Sequence, residues 1–292
     1  MKEILQMIDK VAKYSNLVAI SHSVFALPFA LSSLILAQRR GELVYFDNPT
    51  FLIIVIVFAV ISARTAAMAF NRAIDSDVDS QNPRTHNREI PRGDINKNQA
   101  FALTALSALC FFFFSYLLGL HCLMLAPLVL SVLLLYSYCK RFSYLSHYVL
   151  GLSLALAPAG AWWTIRPRLE LTPILLSLAV LLWVSAFDIL YSCQDVTFDR
   201  ENGLFSIPAK FGINQSFMIS RTTHLFSFIF FMLVGTTIAA PSAYYFGFSL
   251  IGLFFLGEHL LISPYDLSKI NHSFFTINGV ISILYLVLIC SL

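Results

Sequence analysis

Apolar runs long enough to cross a bilayer recur along the whole chain, and no other feature limits its fold as tightly. They fall at about 17–37, 50–70, 99–119, 121–138, 146–165, 172–190, 221–240, 243–262 and 273–291. A hydrocarbon layer of about 30 Å takes roughly 20 apolar residues as helix. It offers backbone amides no water, so each run must satisfy its own hydrogen bonds as an α-helix. Composition agrees: hydrophobic residues make up 58%, charged residues only 12%, and the mean hydropathy is +0.76. The expected fold is an all-α membrane protein, a single domain over 1–292. It would be a bundle of about nine transmembrane helices around a central cavity. The opening MKEILQMIDKVAKYSN is charged and amphipathic and has no signal-peptide core.

Basic residues set the expected orientation. With the N-terminus in the cytosol, cytosolic segments hold Lys2, Lys10, Lys13, Arg72, Arg84, Arg88, Arg92, Lys97, Lys140, Arg141, Arg200, Lys210, Arg221 and Lys269. The opposite side holds Arg39, Arg40, Arg166 and Arg168. That imbalance follows the positive-inside rule and predicts a multi-pass membrane protein with both long loops in the cytosol and the lipid bilayer as its partner. The net charge of +3 therefore reflects topology and gives no reason to invoke nucleic acid. The five cysteines, 110, 122, 139, 193 and 290, show no metal-type pairing and read as small buried hydrophobes.

Two aspartate clusters lie on the expected cytosolic side. The first, Asn71-Arg72-Ala73-Ile74-Asp75-Ser76-Asp77-Val78-Asp79, puts Asn71, Asp75 and Asp79 on one helix face, with Arg64 two turns deeper. The second puts Asp188, Tyr191, Asp195 and Asp199 on a stripe, with Asp188 the deep member. Carboxylates four apart repel unless a cation stands between them, and hard oxygen donors suit Mg²⁺ completed by phosphate oxygens. Lys140, Arg141, Arg84, Arg88 and Lys210 would help neutralise such an anion. An arginine such as Arg64 within an apolar span is costly and is kept where it meets an anion or lines a cavity. His22, in helix 1, is a candidate to line the cavity. Asp77 points off the stripe, and Glu258 and His259 read as structural or gating. Histidines 86, 121, 147, 224 and 272 form no metal-type spacing. Asp75 and Asp195 lie four helices apart, each ending the second helix of a four-helix stretch, so two pseudo-repeated four-helix halves are expected.

In these residues the chain resembles the UbiA-type intramembrane aromatic prenyltransferases. Asn71, Asp75 and Asp79 match the family's first motif, although Arg72 stands where its second aspartate would be. Arg84-Thr85, Arg88, Pro91 and Gly93 match the following segment, Tyr136, Lys140 and Arg141 the end of the fourth helix, and Asp188, Tyr191, Gln194, Asp195 and Asp199 the second motif. The resemblance implies that a polyprenyl diphosphate is held on two Mg²⁺ ions, one at Asn71, Asp75 and Asp79 and one at Asp195 and Asp199. Lys140, Arg84, Arg88 and Lys210 would steady the diphosphate. Asp188 and Tyr191 would face the allylic cation and the aromatic hydroxy acid acceptor, and Arg64 or His22 would orient that acceptor's acidic group. The segments Phe70–Asp75, Asn82–Pro91 and His22–Pro28 look like a bacterial subgroup. Its acceptors, 4-hydroxybenzoate for ubiquinone or a dihydroxynaphthoate for menaquinone, are both hydroxy-aromatic carboxylates that these residues do not separate.

Two other classes use membrane carboxylates. An ion-coupled secondary transporter places them at the midplane on broken helices; here they end unbroken apolar runs. A CDP-alcohol phosphotransferase carries one compact aspartate motif, whereas this chain has two far apart.

Overall fold

Backbone self-sufficiency explains what the chain builds. The computed structural model describes residues 13–18 and 25–292. Among these every regular element is helical, apart from one isolated bridge between Ser263 and Asp266. The elements are α1 (Leu27–Arg39), α2 (Pro49–Gln81), α3 (Lys97–Leu117), α4 (Leu120–Cys139), α5 (Ser146–Ile165) and α6 (Leu171–Ser192). A 3₁₀ turn, Cys193–Asp195, leads into α7 (Val196–Glu201), followed by α8 (Ile207–Phe211), α9 (Ile213–Thr237) and α10 (Ser242–Leu261). Last comes α11 (Ile270–Ser291), which contains a π turn at Ser273–Ile277. Among the described residues eight helices are long and apolar enough to cross a membrane, α2 to α6 and α9 to α11. The expected first span, 17–37, falls partly outside the described residues, and most of its described part lies in α1.

Two helices extend well past their apolar runs. α2 has 33 residues, hence a length of about 50 Å against a hydrocarbon layer of about 30 Å. Its last turns, which carry Asp75 and Asp79, therefore project beyond the apolar zone. α9 begins at Ile213, eight residues before the expected 221, because its first turns are polar yet helical.

The chain forms two compact units. One comprises residues 13–18 and Val55–Tyr138, with α3, α4 and most of α2. Leu17, Ala73, Ile95 and Ala100 form its buried cluster near the loop after α2. Phe58 stacks on Phe114 at 5.3 Å, and Phe70 meets Phe101 and Tyr138 edge-on. α3 starts with a reciprocal capping box, Asn96 accepting from the Gln99 amide while the Gln99 side chain accepts from the Asn96 amide. Leu106, Leu109, Phe113, Met124 and Leu128 stand exposed, as lipid-facing side chains do.

The other unit comprises residues 25–54 and Cys139–Leu292. Here α1, the expected first helix of the first half, packs against α5 and α11, so the units do not simply divide the chain after the fourth span. Phe29 is the reason. It is fully buried among Trp183, Phe231 and Tyr285, with ring centroids 5.1–5.7 Å away. Small residues bring the helices close, as expected where apolar burial drives no association. At Gly151 of α5 an added Cβ would lie 2.3 Å from the Leu181 carbonyl oxygen of α6. Buried serines tie helices together: Ser220 and Ser227 of α9 donate to the carbonyls of Ala186 and Ala179 of α6, seven residues apart on each antiparallel helix. Ser33 of α1 donates to the Pro158 carbonyl at 2.6 Å.

Arginines gather at one end of this unit, where four helices finish. Arg39 donates to the Ile289 carbonyl at 3.0 Å, and Arg40 donates to the Thr237 carbonyl. Arg166 donates to the Arg40 carbonyl and pairs with Glu170 at 2.8 Å. Helix C-termini leave carbonyls unpaired and carry negative partial charge, which these guanidinium groups satisfy.

Candidate active site

Each compact unit carries one of the aspartate motifs. In the first, the polar extension of α2 keeps Asn71, Asp75 and Asp79 in helical register. Asn71 Nδ2 donates to Asp75 Oδ2 at 2.8 Å. Asp79 is buried at 6% exposure, and Arg88 Nη1 reaches both of its carboxylate oxygens at 2.7 Å. The loop that supplies Arg88 is pinned to the same turn by Thr85, whose hydroxyl donates to the Asp79 carbonyl at 3.1 Å. Arg84 lies on this loop, its amide donating to Asn82 Oδ1. Gly93 closes the loop at φ +84°, a conformation L side chains rarely adopt. Asp77 points off the motif, with 80% of its side chain exposed and Lys97 at 2.8 Å.

Arg64 is half-buried in α2, and its guanidinium donates to the Val18 carbonyl at 3.2 Å. Arg72 donates to the Leu17 carbonyl at 3.3 Å. Both cations thus hold the end of the helical turn at 13–17, a role that the sequence pattern does not reveal. His22 lies outside the described residues.

In the second unit the regular stripe is interrupted. The 3₁₀ turn at Cys193–Asp195 has three residues per turn, so Asp195 and Asp199 are rotated relative to Asp188 and Tyr191. Asp195 and Asp199 are buried at 5% and 2% exposure. Asp199 Oδ2 accepts from the Ser206 hydroxyl at 2.8 Å and has Lys140 Nζ at 3.9 Å. The Phe205 amide donates to the Lys140 carbonyl at 2.7 Å, which holds the 203–212 loop beside the end of α4. Arg141 is exposed. Lys210 of α8 lies over the Tyr144 ring at 3.5 Å, a cation–π contact. Tyr191 packs on Phe274 of the π turn, with ring centroids 4.2 Å apart.

Asp188 has a partner that spacing could not disclose. His147 of α5, fully buried, places Nδ1 at 2.7 Å from Asp188 Oδ2, while the Ile207 amide donates to its Nε2 at 3.3 Å. The two residues are 41 positions apart and meet where α5 packs on α6, one turn from the close approach at Gly151. Glu258 and His259, expected to be structural or gating, join another buried group. Glu258 Oε1 accepts from Ser273 and Asn278, each at 3.1 Å, and His259 Nε2 lies 2.9 Å from His224 Nδ1.

The donor chemistry fits Mg²⁺. Each motif offers two carboxylates, and the first adds an amide oxygen. Among the described residues no three His, Cys, Asp or Glu side chains are grouped to hold a metal by themselves. Such a pair suits an ion that takes one or two carboxylates and completes its octahedron with water and phosphate oxygens. The partners are compatible too: Lys140 stands at 3.9 Å from Asp199, beyond hydrogen-bonding distance, and Arg88 is the kind of cation that can turn from a carboxylate to a phosphate.

The chain is similar to known proteins over most of its length. The model of the UbiA prenyltransferase family matches residues 26–280. A 4-hydroxybenzoate octaprenyltransferase of Francisella tularensis subsp. tularensis (strain FSC 198) is 25% identical over 226 residues, 76% of this chain and 78% of that protein. Its counterpart in Aliivibrio fischeri is 26% identical over 239 residues, 82% and 84% of the two chains. Among solved structures, the apo form of a UbiA homolog from Aeropyrum pernix K1 superposes with a TM-score of 0.81 at 29% identity, covering 92% of this chain and 97% of that one. A UbiA homolog from Archaeoglobus fulgidus bound to DMAPP and Mg²⁺ gives 0.74 at 18% identity, covering 96% and 98%, a likeness of fold.

Proposed function

Because the chain belongs to the UbiA prenyltransferase family, whose match runs through both compact units, we propose that it acts as one domain over 1–292. Its reaction is transfer of a polyprenyl group from polyprenyl diphosphate to the ring of a hydroxy-aromatic acid, in respiratory quinone synthesis. It is a membrane enzyme, and family membership sets the transporter and phosphotransferase readings aside. The observation that carries the reaction is the pair of carboxylate motifs, each with cations close by.

Asn71, Asp75 and Asp79 would hold one Mg²⁺, and Asp195 and Asp199 the other. Bound there, the ions would neutralise the diphosphate and favour its departure. Lys140, Arg84 and Arg88 add positive charge for the same anion, with Arg141 and Lys210 at the edge. The C1–O bond breaks with its electron pair leaving on the diphosphate. A ring carbon of the acceptor attacks C1, and the ring then loses its proton. Asp188 and Tyr191 face the cation and the acceptor hydroxyl, and Arg64 and His22 are the candidates for its carboxylate. Apolar helices keep water from the cation, which would otherwise hydrolyse. The N-terminus and both motifs face the cytosol of a bacterial inner membrane.

The acceptor is 4-hydroxybenzoate, as the names of the relatives suggest, or a dihydroxynaphthoate. Membranes given one polyprenyl diphosphate, Mg²⁺ and both acids in competition test this. Mass spectrometry of the extracted lipid should show one alkylated acid and a signal abolished by EDTA. Equal transfer with and without chelator would remove the metal from the reaction.

A further inference from the structure

We infer that His147 is a positioning residue that holds Asp188 for the reaction and couples it to the 203–212 loop; this rests on the function proposed for Asp188 above. The Ile207 amide can only donate, so the Nε2 facing it must carry a lone pair. The ring is then the neutral tautomer with its proton on Nδ1, where it donates to Asp188 Oδ2 at 2.7 Å. One imidazole thus reads two elements at once. On one side stands the carboxylate nearest the reacting carbon. On the other stands the first residue of α8, next to Ser206, whose hydroxyl donates to Asp199.

The surroundings make this arrangement rigid. His147 is fully buried in the first turn of α5, and Gly151, one turn on, presses α5 against the Leu181 carbonyl and Ser185 of α6. Asp188 follows Ser185 by three residues on the same face of α6, so the contact at Gly151 sets the distance between acid and imidazole. With 13% of its side chain exposed, Asp188 would otherwise be a carboxylate of several rotamers. A hydrogen bond to a charged acceptor selects one of them.

Asparagine places a donor, Nδ2, the same number of bonds from Cα as Nδ1, whereas leucine fills the space and donates nothing. In purified enzyme in lipid, His147→Leu should lower kcat by about 10–100-fold, the range for removing a residue that orients a functional group, with KM for polyprenyl diphosphate held within about threefold. His147→Asn should restore kcat to within about fivefold of wild type. Thermal unfolding of each variant shows whether it is folded. ¹⁵N NMR of histidine-labelled wild type, assigned by the signal lost in His147→Asn, should show a protonated Nδ1 and a bare Nε2. A proton on Nε2, a fully active His147→Leu, or folded leucine and asparagine variants equally impaired would each overturn the inference. Wild-type enzyme that alkylates no hydroxy-aromatic acid overturns the proposed reaction as well, and is recognised by its own failure.

Discussion

Asp195→Ala and Asp75→Ala should each lower prenyl transfer by at least about 10²–10³-fold, the usual cost of removing one stabilising group from a developing anion. The proposed reaction needs both motifs, so either single change should suffice. Neither variant should change substrate choice, because in the proposed reaction the aspartates address the diphosphate and not the acceptor. The two sites differ in what the change leaves behind. Asp195 is 5% exposed, so its removal also empties buried space and Asp195→Asn is the cleaner comparison. Asp75 is half-buried, and its partner Asn71 can turn to water. Transfer measured across a Mg²⁺ titration separates the cases. A lost ligand shifts the curve to higher Mg²⁺, while a lost fold lowers its plateau. A fully active Asp75→Ala would end the metal assignment at the first motif.

The second large effect concerns packing. Gly151→Val should destabilise the protein by about 1–3 kcal/mol, the usual range for overpacking, and also impair catalysis. The Cβ alone would stand 2.3 Å from a backbone oxygen and 2.4 Å from Ser185 Oγ. The carbonyl cannot rotate away as a side chain would, so α5 and α6 must separate. That separation pulls His147 from Asp188. Gly160→Val, in the same helix where an added Cβ meets nothing within 4 Å, is the control and should leave both properties unchanged. Thermal unfolding in detergent and transfer assays read the two effects. Wild-type stability in Gly151→Val would mean that the helices are not in close contact there.

The helical membrane fold was legible because hydropathy reports directly on what a bilayer demands. Ends were harder. The expected span at 50–70 stopped where apolar character stops, while α2 runs on to Gln81 because helical hydrogen bonding does not require apolar side chains. The polar start of α9 was missed for the same reason. Asp75 and Asp79 are correctly placed on one helix face, since α2 is regular there. For Asp188 and Asp195 the period fails, because the 3₁₀ turn between them leaves no mark in the spacing. His147 carries no sequence signal, since its partners, Asp188 and Ile207, are distant in sequence and no local pattern links them. Lys210 and Arg64 show another limit. A basic residue near an expected anion also meets a ring or a carbonyl that spacing does not disclose, as Lys210 meets Tyr144 and Arg64 meets Val18.

The arginine-rich end of the second unit also bears on the order of assembly. Arg40 waits for a carbonyl 197 residues further on, and Arg39 for one 250 residues further on. At about 5–20 residues per second, synthesis needs roughly 10–50 s to deliver the second of these. Until then Arg39 has yet to meet the Ile289 carbonyl, and Phe29 lacks its neighbour Tyr285. Although α1 is made early, its packing in the unit is complete only when α11 arrives.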